Sequence, residues 1–156
     1  GSQNLDNISR QSIRQQIAFG SCEPSFLSSS IKNFLEVDEQ NCSTEDIFYV
    51  FRALDLEDWI TSLPQGINTV ISDQATEFSS GQKQRLELAR ILLSSKRVII
   101  FDEPTTNLDQ PNITRFLEFI SNQDFRRNKI IIMVSHDPMV MNVSNFILDL
   151  EVVARH

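Results

Sequence analysis

The chain has 156 residues, 40% of them hydrophobic, a formal net charge of -7 and only 4 glycines. That length amounts to one domain, and the hydrophobic fraction supports a packed core, which excludes wholesale disorder. The acidic balance disfavours a nonspecific grip on nucleic acid or anionic lipid, no stretch approaches the ~20 apolar residues of a membrane span, and no secretory signal opens the sequence.

The glycines are Gly1, Gly20, Gly66 and Gly81. None begins a G-x-x-x-x-G-K-[ST] phosphate loop or a G-x-G-x-x-G fingerprint. Gly1-Ser2 reads as an expression scar, so the fold is expected over residues 3–156, and the abrupt polar opening suggests a chain cut from a longer one. Cys22 and Cys42 have no partner cluster, which argues against a zinc site and reads as two idle thiols. The sequons at Asn7, Asn41, Asn112 and Asn142 read as chance matches.

In chain order, Ile13, Ile17 and Phe19 stand among polar residues over 11–19, a pattern that fits a short helix or a strand. A loop follows over 20–25. Ser43-Thr44-Glu45-Asp46 has the form of a helix start, with Ser43 as cap, and Ile47, Val50, Phe51 and Leu54 fall on one helical face. Leu56 to Leu63 reads as a second short helix ended by Pro64 and Gly66, and residues 67–78 as loop. Ser79-Ser80-Gly81 opens a longer helix that runs to Ser94-Ser95. Val98-Ile99-Ile100-Phe101 then predicts a strand buried on both faces of a parallel sheet. Pro111 suits a first helical position, with Ile113, Phe116, Leu117 and Ile120 as the apolar stripe. Lys129 to Val134 predicts a second buried strand, followed by a short helix and a last strand over Asn145 to Leu150. Helices dominate 28–95 and strand–helix alternation dominates 96–151, so the expected fold is α/β, a parallel sheet with an inserted helical subdomain.

The chemistry concentrates at strand ends and one helix start. Ligands in open α/β sheets bind beyond the carboxyl ends of the strands, where Asp102 and Glu103 fall. Adjacent carboxylates suit a strand end that handles Mg²⁺ through Asp102 and a water through Glu103, although the hexapeptide alone reads equally as solvated acids. His136 ends the next strand and should share the crevice, able to hydrogen-bond a terminal phosphate, although a lone histidine there is more often structural. Ser79-Ser80-Gly81-Gln82 starts a helix, where open backbone N–H groups and the positive dipole end attract anions; an ordinary serine cap has the same look.

Together these segments resemble an ATP-binding cassette (ABC) ATPase domain. Phe78-Ser79-Ser80-Gly81-Gln82-Lys83-Gln84-Arg85 with Leu88-Ala89-Arg90 is similar to the signature motif, Val98 to Glu103 to the Walker B strand, Thr106-Asn107-Leu108-Asp109 to the D-loop, and Val134-Ser135-His136-Asp137 to the H-loop. Order and spacing agree over roughly residues 11–151. The stretches 12–19, 23–28 and 63–69 resemble the Q-loop and pre-signature segments of exporter-type cassettes. The resemblance implies a P-loop NTPase fold, with ATP and Mg²⁺ as cofactors in the intact domain. It implies Asp102 as the metal aspartate, Glu103 as the catalytic glutamate and His136 as the switch histidine. It also implies that Ser79, Ser80, Gly81 and Gln82 meet the γ-phosphate of an opposite subunit, and that Asp109 lies at the dimer interface. The implied partners are a second nucleotide-binding domain and membrane domains, and the implied place is the cytoplasmic side of a membrane.

Three departures from the family pattern stand out. Cys22 occupies the Q-loop glutamine position, and a thiol cannot offer an amide oxygen. Ser80 replaces the first signature glycine and Phe78 the usual leucine. The Walker A loop, with its strand and helix, is missing from the 156 residues. The expectation is therefore a fragment that neither binds ATP tightly nor hydrolyses it, and that self-associates or swaps elements through exposed sheet. Alternatives in view are a soluble, non-transport cassette protein and a non-catalytic interaction module.

Overall fold

The computed structural model describes residues 9–21, 24–36, 42–72 and 78–149. Cys22, the N-terminal Gly1-Ser2 and residue 150 lie outside them. Helix α1 (Arg10–Gln16) leads directly into strand β1 (Ile17–Gly20), so the ambiguous 11–19 pattern resolves into one of each. Strand β2 (Ser29–Ser30) and helix α2 (Ile31–Leu35) follow, then α3 (Thr44–Ala53) and α4 (Glu57–Ser62). After a single 3₁₀ turn come β3 (Val70–Ile71), α5 (Ser80–Leu92), β4 (Val98–Asp102), α6 (Gln110–Ser121), α7 (Gln123–Arg126), β5 (Ile130–Val134) and α8 (Pro138–Val143).

Local signals explain the helix starts. Ser43 accepts the Asp46 backbone N–H at 3.1 Å, satisfying one of the orphan donors of the first turn of α3. Asp109 does the same for Asn112 at the start of α6, with Pro111 in the first turn. Gly66 takes φ +51 between α4 and β3, the left-handed region that favours glycine.

The three-stranded sheet has the order β1-β4-β5 and is parallel throughout. Its two faces differ. Ala18, Ile99 and Phe101 point into the core, where Phe101 meets Phe116 of α6 edge-on at 5.3 Å. Gly20 permits close approach here: a Cβ would lie 3.1 Å from Ile91 of α5 and 3.3 Å from Phe101. On the other face Phe19, Ile130, Ile132 and Val134 stay exposed, Ile130 at 62%. Parallel sheets normally bury both faces. The expectation of two fully buried strands is therefore corrected. The described residues supply helices to one face only, and β5 is an edge of the sheet.

Two further expectations change. Residues 67–78 are not all loop, because β3 pairs antiparallel with β2 through Ser29–Ile71 and Ser30–Val70. Residues 145–149 form no strand, and Phe146, Ile147 and Leu148 are exposed. An apolar run becomes a strand only beside a strand that accepts its ladder, and no such pairing reaches it among the described residues. Among those residues no helix is long and apolar enough to cross a membrane.

The faces predict unequal sensitivity. Phe116→Ala should destabilise by about 3–5 kcal/mol, whereas Ile132→Lys should stay within about 0.5 kcal/mol, as read from urea unfolding midpoints.

Candidate active site

The equal lengths of β4 and β5 position the site. Val98 aligns with Ile130 and Asp102 with Val134, so both strands end at one level. The Glu103 backbone N–H donates to the Val134 carbonyl at 2.8 Å, carrying the ladder one residue further. Glu103 then turns sharply, with φ +48, an unusual conformation for a residue with a side chain. Its carbonyl accepts from Thr106 N–H at 3.2 Å, and Asn107 also lies at positive φ, +64.

This turn brings the predicted pair together. Glu103 Oε1 lies 2.9 Å from His136 Nδ1, and its Oε2 accepts from the Ser135 hydroxyl at 3.4 Å. The Glu103 side chain is 28% exposed and the His136 side chain 88% exposed. The hydrogen bond that the His136 ring donates to Glu103, and then the negative charge of Glu103, raise the His136 pKa above its ordinary 6.5. Asp102 precedes this turn at the end of β4, partly exposed and on the uncovered face with Ile100.

The signature-like turn packs against the same loop. Ser79 and Gln82 form a reciprocal capping box at the start of α5: Gln82 N–H donates to Ser79 Oγ at 3.1 Å, and Ser79 N–H donates to Gln82 Oε1 at 2.8 Å. Those polar groups are thus occupied within the turn. What α5 presents outward is the backbone of Ser80 and Gly81 at the positive end of a 13-residue helix. A Cβ on Gly81 would sit 3.0 Å from the Asn107 carbonyl oxygen, so this glycine permits the contact between α5 and the loop after Glu103. Ser80, the residue that departs from the family pattern, is exposed. Asp109 serves first as the cap of α6, and the Asn112 amide it accepts lowers its pKa.

Sequence reasoning missed three participants. Ser135 holds the second Glu103 oxygen and also accepts the Asp137 N–H at 3.1 Å, a serine turn that the Ser-His-Asp order signals. Gln84 is buried and donates to the Pro104 carbonyl at 3.4 Å. Asn107 presents its carbonyl to Gly81, and its small polar side chain suits a left-handed turn. A separate cavity of about 410 Å³, lined by Cys42, Tyr49, Phe119 and Lys129, lies toward the amino end of β5 instead, away from this site.

The family model described as "ABC transporter" matches residues 1–106. The chain belongs to the ABC transporter family. It is 30% identical over 149 residues to a probable ABC transporter ATP-binding/permease protein of Haemophilus influenzae, covering 96% of this chain and 27% of that protein. It is 37% identical over 134 residues to the pediocin PA-1 transport/processing ATP-binding protein PedD of Pediococcus acidilactici, covering 85% of this chain and 18% of that one. Its fold matches a solved bacterial Atm1-family ABC exporter with ATP bound, with a TM-score of 0.76, 21% identity, and coverage of 89% of this chain and 24% of the exporter. The chain thus spans under a third of each of these proteins, and its fold is that of an ABC exporter's nucleotide-binding domain.

Two outcomes are expected. An NMR titration of His136 should give a pKa above 6.5, and Glu103→Gln should return it toward that value. The sign follows from the raised value: the ion pair's contribution to stability is complete below about pH 6.5 and is lost as pH rises through the His136 pKa. Gly81→Ala should separate α5 from Asn107 and lower the thermal midpoint, while Ser80→Ala should leave it nearly unchanged, by circular dichroism.

Proposed function

We infer that this ABC chain is the signature-bearing and Walker B-bearing part of an exporter's ATP-hydrolysing domain, working in a pair of cassettes that close on ATP. The observation that carries this reading is the Glu103–His136 contact at two adjacent parallel strand ends, beside the α5 turn.

Each residue has a role that its position supports. Glu103, anchored at both oxygens, is oriented to accept a hydrogen bond from a water and align it toward a phosphoryl group. His136 uses Nδ1 toward Glu103 and keeps Nε2 for a γ-phosphate oxygen. The Ser80 and Gly81 amides are directed at a phosphate held by the opposite cassette, with Ser79 and Gln82 shaping their turn and Asp109 setting the start of the helix behind it.

The residues fit Mg²⁺ shared with a nucleotide. Asp102 is one partly exposed carboxylate, and Mg²⁺ is commonly held by one or two carboxylates plus phosphate oxygens. Among the described residues no cluster of three His, Cys, Asp or Glu side chains encloses a metal alone. When bound, Mg²⁺ neutralises charge on the phosphate oxygens. The amide cradle and lysine of a Walker A loop have no counterpart in the 156 residues, so the β- and γ-phosphates need a cradle from elsewhere. In this reading the partners are a second nucleotide-binding domain and the membrane domains of an exporter. The helical layer over 28–95 faces the membrane domains, and the chain sits on the cytoplasmic side.

Calorimetric titration of the 156-residue chain with Mg-ATP should show no micromolar binding. In a complete cassette that includes these residues, Glu103→Gln should reduce ATP turnover by at least about 10²-fold while nucleotide binding persists. Unchanged turnover would refute the catalytic reading. The uncovered sheet face also supports self-association of the chain, which light scattering should detect as a mass above 17.9 kDa.

A further inference from the structure

Three helical segments meet at one aspartate away from the Glu103–His136 pair. Asp55 lies in the turn between α3 and α4 with φ +56, in the left-handed region. Its carbonyl accepts from Arg85 Nη1 of α5 at 2.7 Å, and the Leu54 carbonyl accepts from the same nitrogen at 3.3 Å. Arg85 Nε donates back to the Gly81 carbonyl at 3.3 Å, within the signature turn. The Asp55 carboxylate then reaches a second helix: Oδ1 accepts from Arg115 of α6 at 2.5 Å, while Oδ2 lies 3.5 Å from Arg85. The Arg85 side chain is only 15% exposed, so it is held against the end of α3 rather than free in solvent.

We propose that Asp55 is a positioning residue that locks helix α5 to helix α6, and thereby fixes the Gly81 turn against the Asn107 carbonyl. Two contacts depend on that lock. Gly81 leaves no room for a Cβ against Asn107, and Gln84 reaches the Pro104 carbonyl at 3.4 Å. Both span the same α5–loop gap, and a small slide of α6 relative to α5 would open both. The charges agree with this arrangement. After the Asn112 hydrogen bonds, the charges of Arg85 and Arg115 also help to lower the Asp109 pKa, so both guanidinium groups act on the cap of α6 as well as on Asp55. An exposed ion pair alone contributes little, but here it joins α5 and α6 through the turn after α3, a helix that packs against both. The inference deepens the nucleotide reading by naming what holds the signature turn in place.

The test is amide hydrogen exchange on the 156-residue chain, with no nucleotide needed, so its failure leaves the nucleotide reading standing, and the reverse also holds. Asp55→Gly keeps the left-handed backbone and removes only the carboxylate. Exchange at Lys83 and Leu108, whose N–H groups bond Ser79 and Thr105 carbonyls, should quicken roughly tenfold, with Ile99 in the sheet unchanged. Arg115→Gln, an exposed change in mid-helix, should do the same should Asp55→Gly fail to fold. The double variant should be no faster than either single one. Faster exchange confined to the Asp55–Leu56 turn would overturn the proposal, as would an equal rise at every amide or additive effects in the double variant.

Discussion

The structure depends on the parallel register of β4 and β5. These five-residue strands end together, so the segments that leave them start at one level. That coincidence makes one site out of residues 33 positions apart, because Glu103 and His136 have no local reason to meet. Side chains alternate along a strand, so a slip of one residue would turn each side chain of β5 to the opposite face and carry His136 about 3.3 Å along the strand. The core prevents it. Ile99 and Phe101 are fully buried, and a slip would bring exposed partners to that face.

The loop beyond β4 shows what this constraint supports. Glu103 and Asn107 both hold left-handed φ within five residues, a conformation that costs about 1–2 kcal/mol for a residue with a side chain. The strain persists because the neighbourhood determines it on three sides. The Val134 carbonyl receives the Glu103 N–H, Ser135 and His136 hold its carboxylate, and Gly81 receives the Asn107 carbonyl in close contact. Strain of this kind collects at functional sites, where a side chain must be aimed off the regular strand direction. The capping box at Ser79 and Gln82 works in the same sense. It occupies the side chains of the turn within the turn and leaves backbone to face outward.

Much of this was legible in the residues. The Ser43 cap, the stripe of α3, the Asp109 cap and the β-branched run of β4 are local signals, and local hydrogen bonds and burial enforce them. The His136–Glu103 neighbourhood was readable because parallel βαβ order places consecutive strand ends together. What was not legible depends on partners distant in sequence. Whether Ile130, Ile132 and Val134 are buried depends on what covers the second face of the sheet, and their own composition cannot reveal it. Asn145 to Asp149 has the composition of a strand, yet a strand needs a ladder partner. Ser135 and Asn107 were missed for a related reason: their importance lies in a hydroxyl and a carbonyl aimed at another segment, which residue type does not announce.

The central claim, that strand register builds the site, rests most directly on one hydrogen bond beyond the ladder. Scalar coupling measured across hydrogen bonds by NMR can identify the carbonyl that accepts the Glu103 amide proton. The account predicts coupling to the Val134 carbonyl, with exchange of that amide slowed as in the strand. Coupling to a different carbonyl, or exchange of the Glu103 amide at the rate of an unstructured chain, would contradict it.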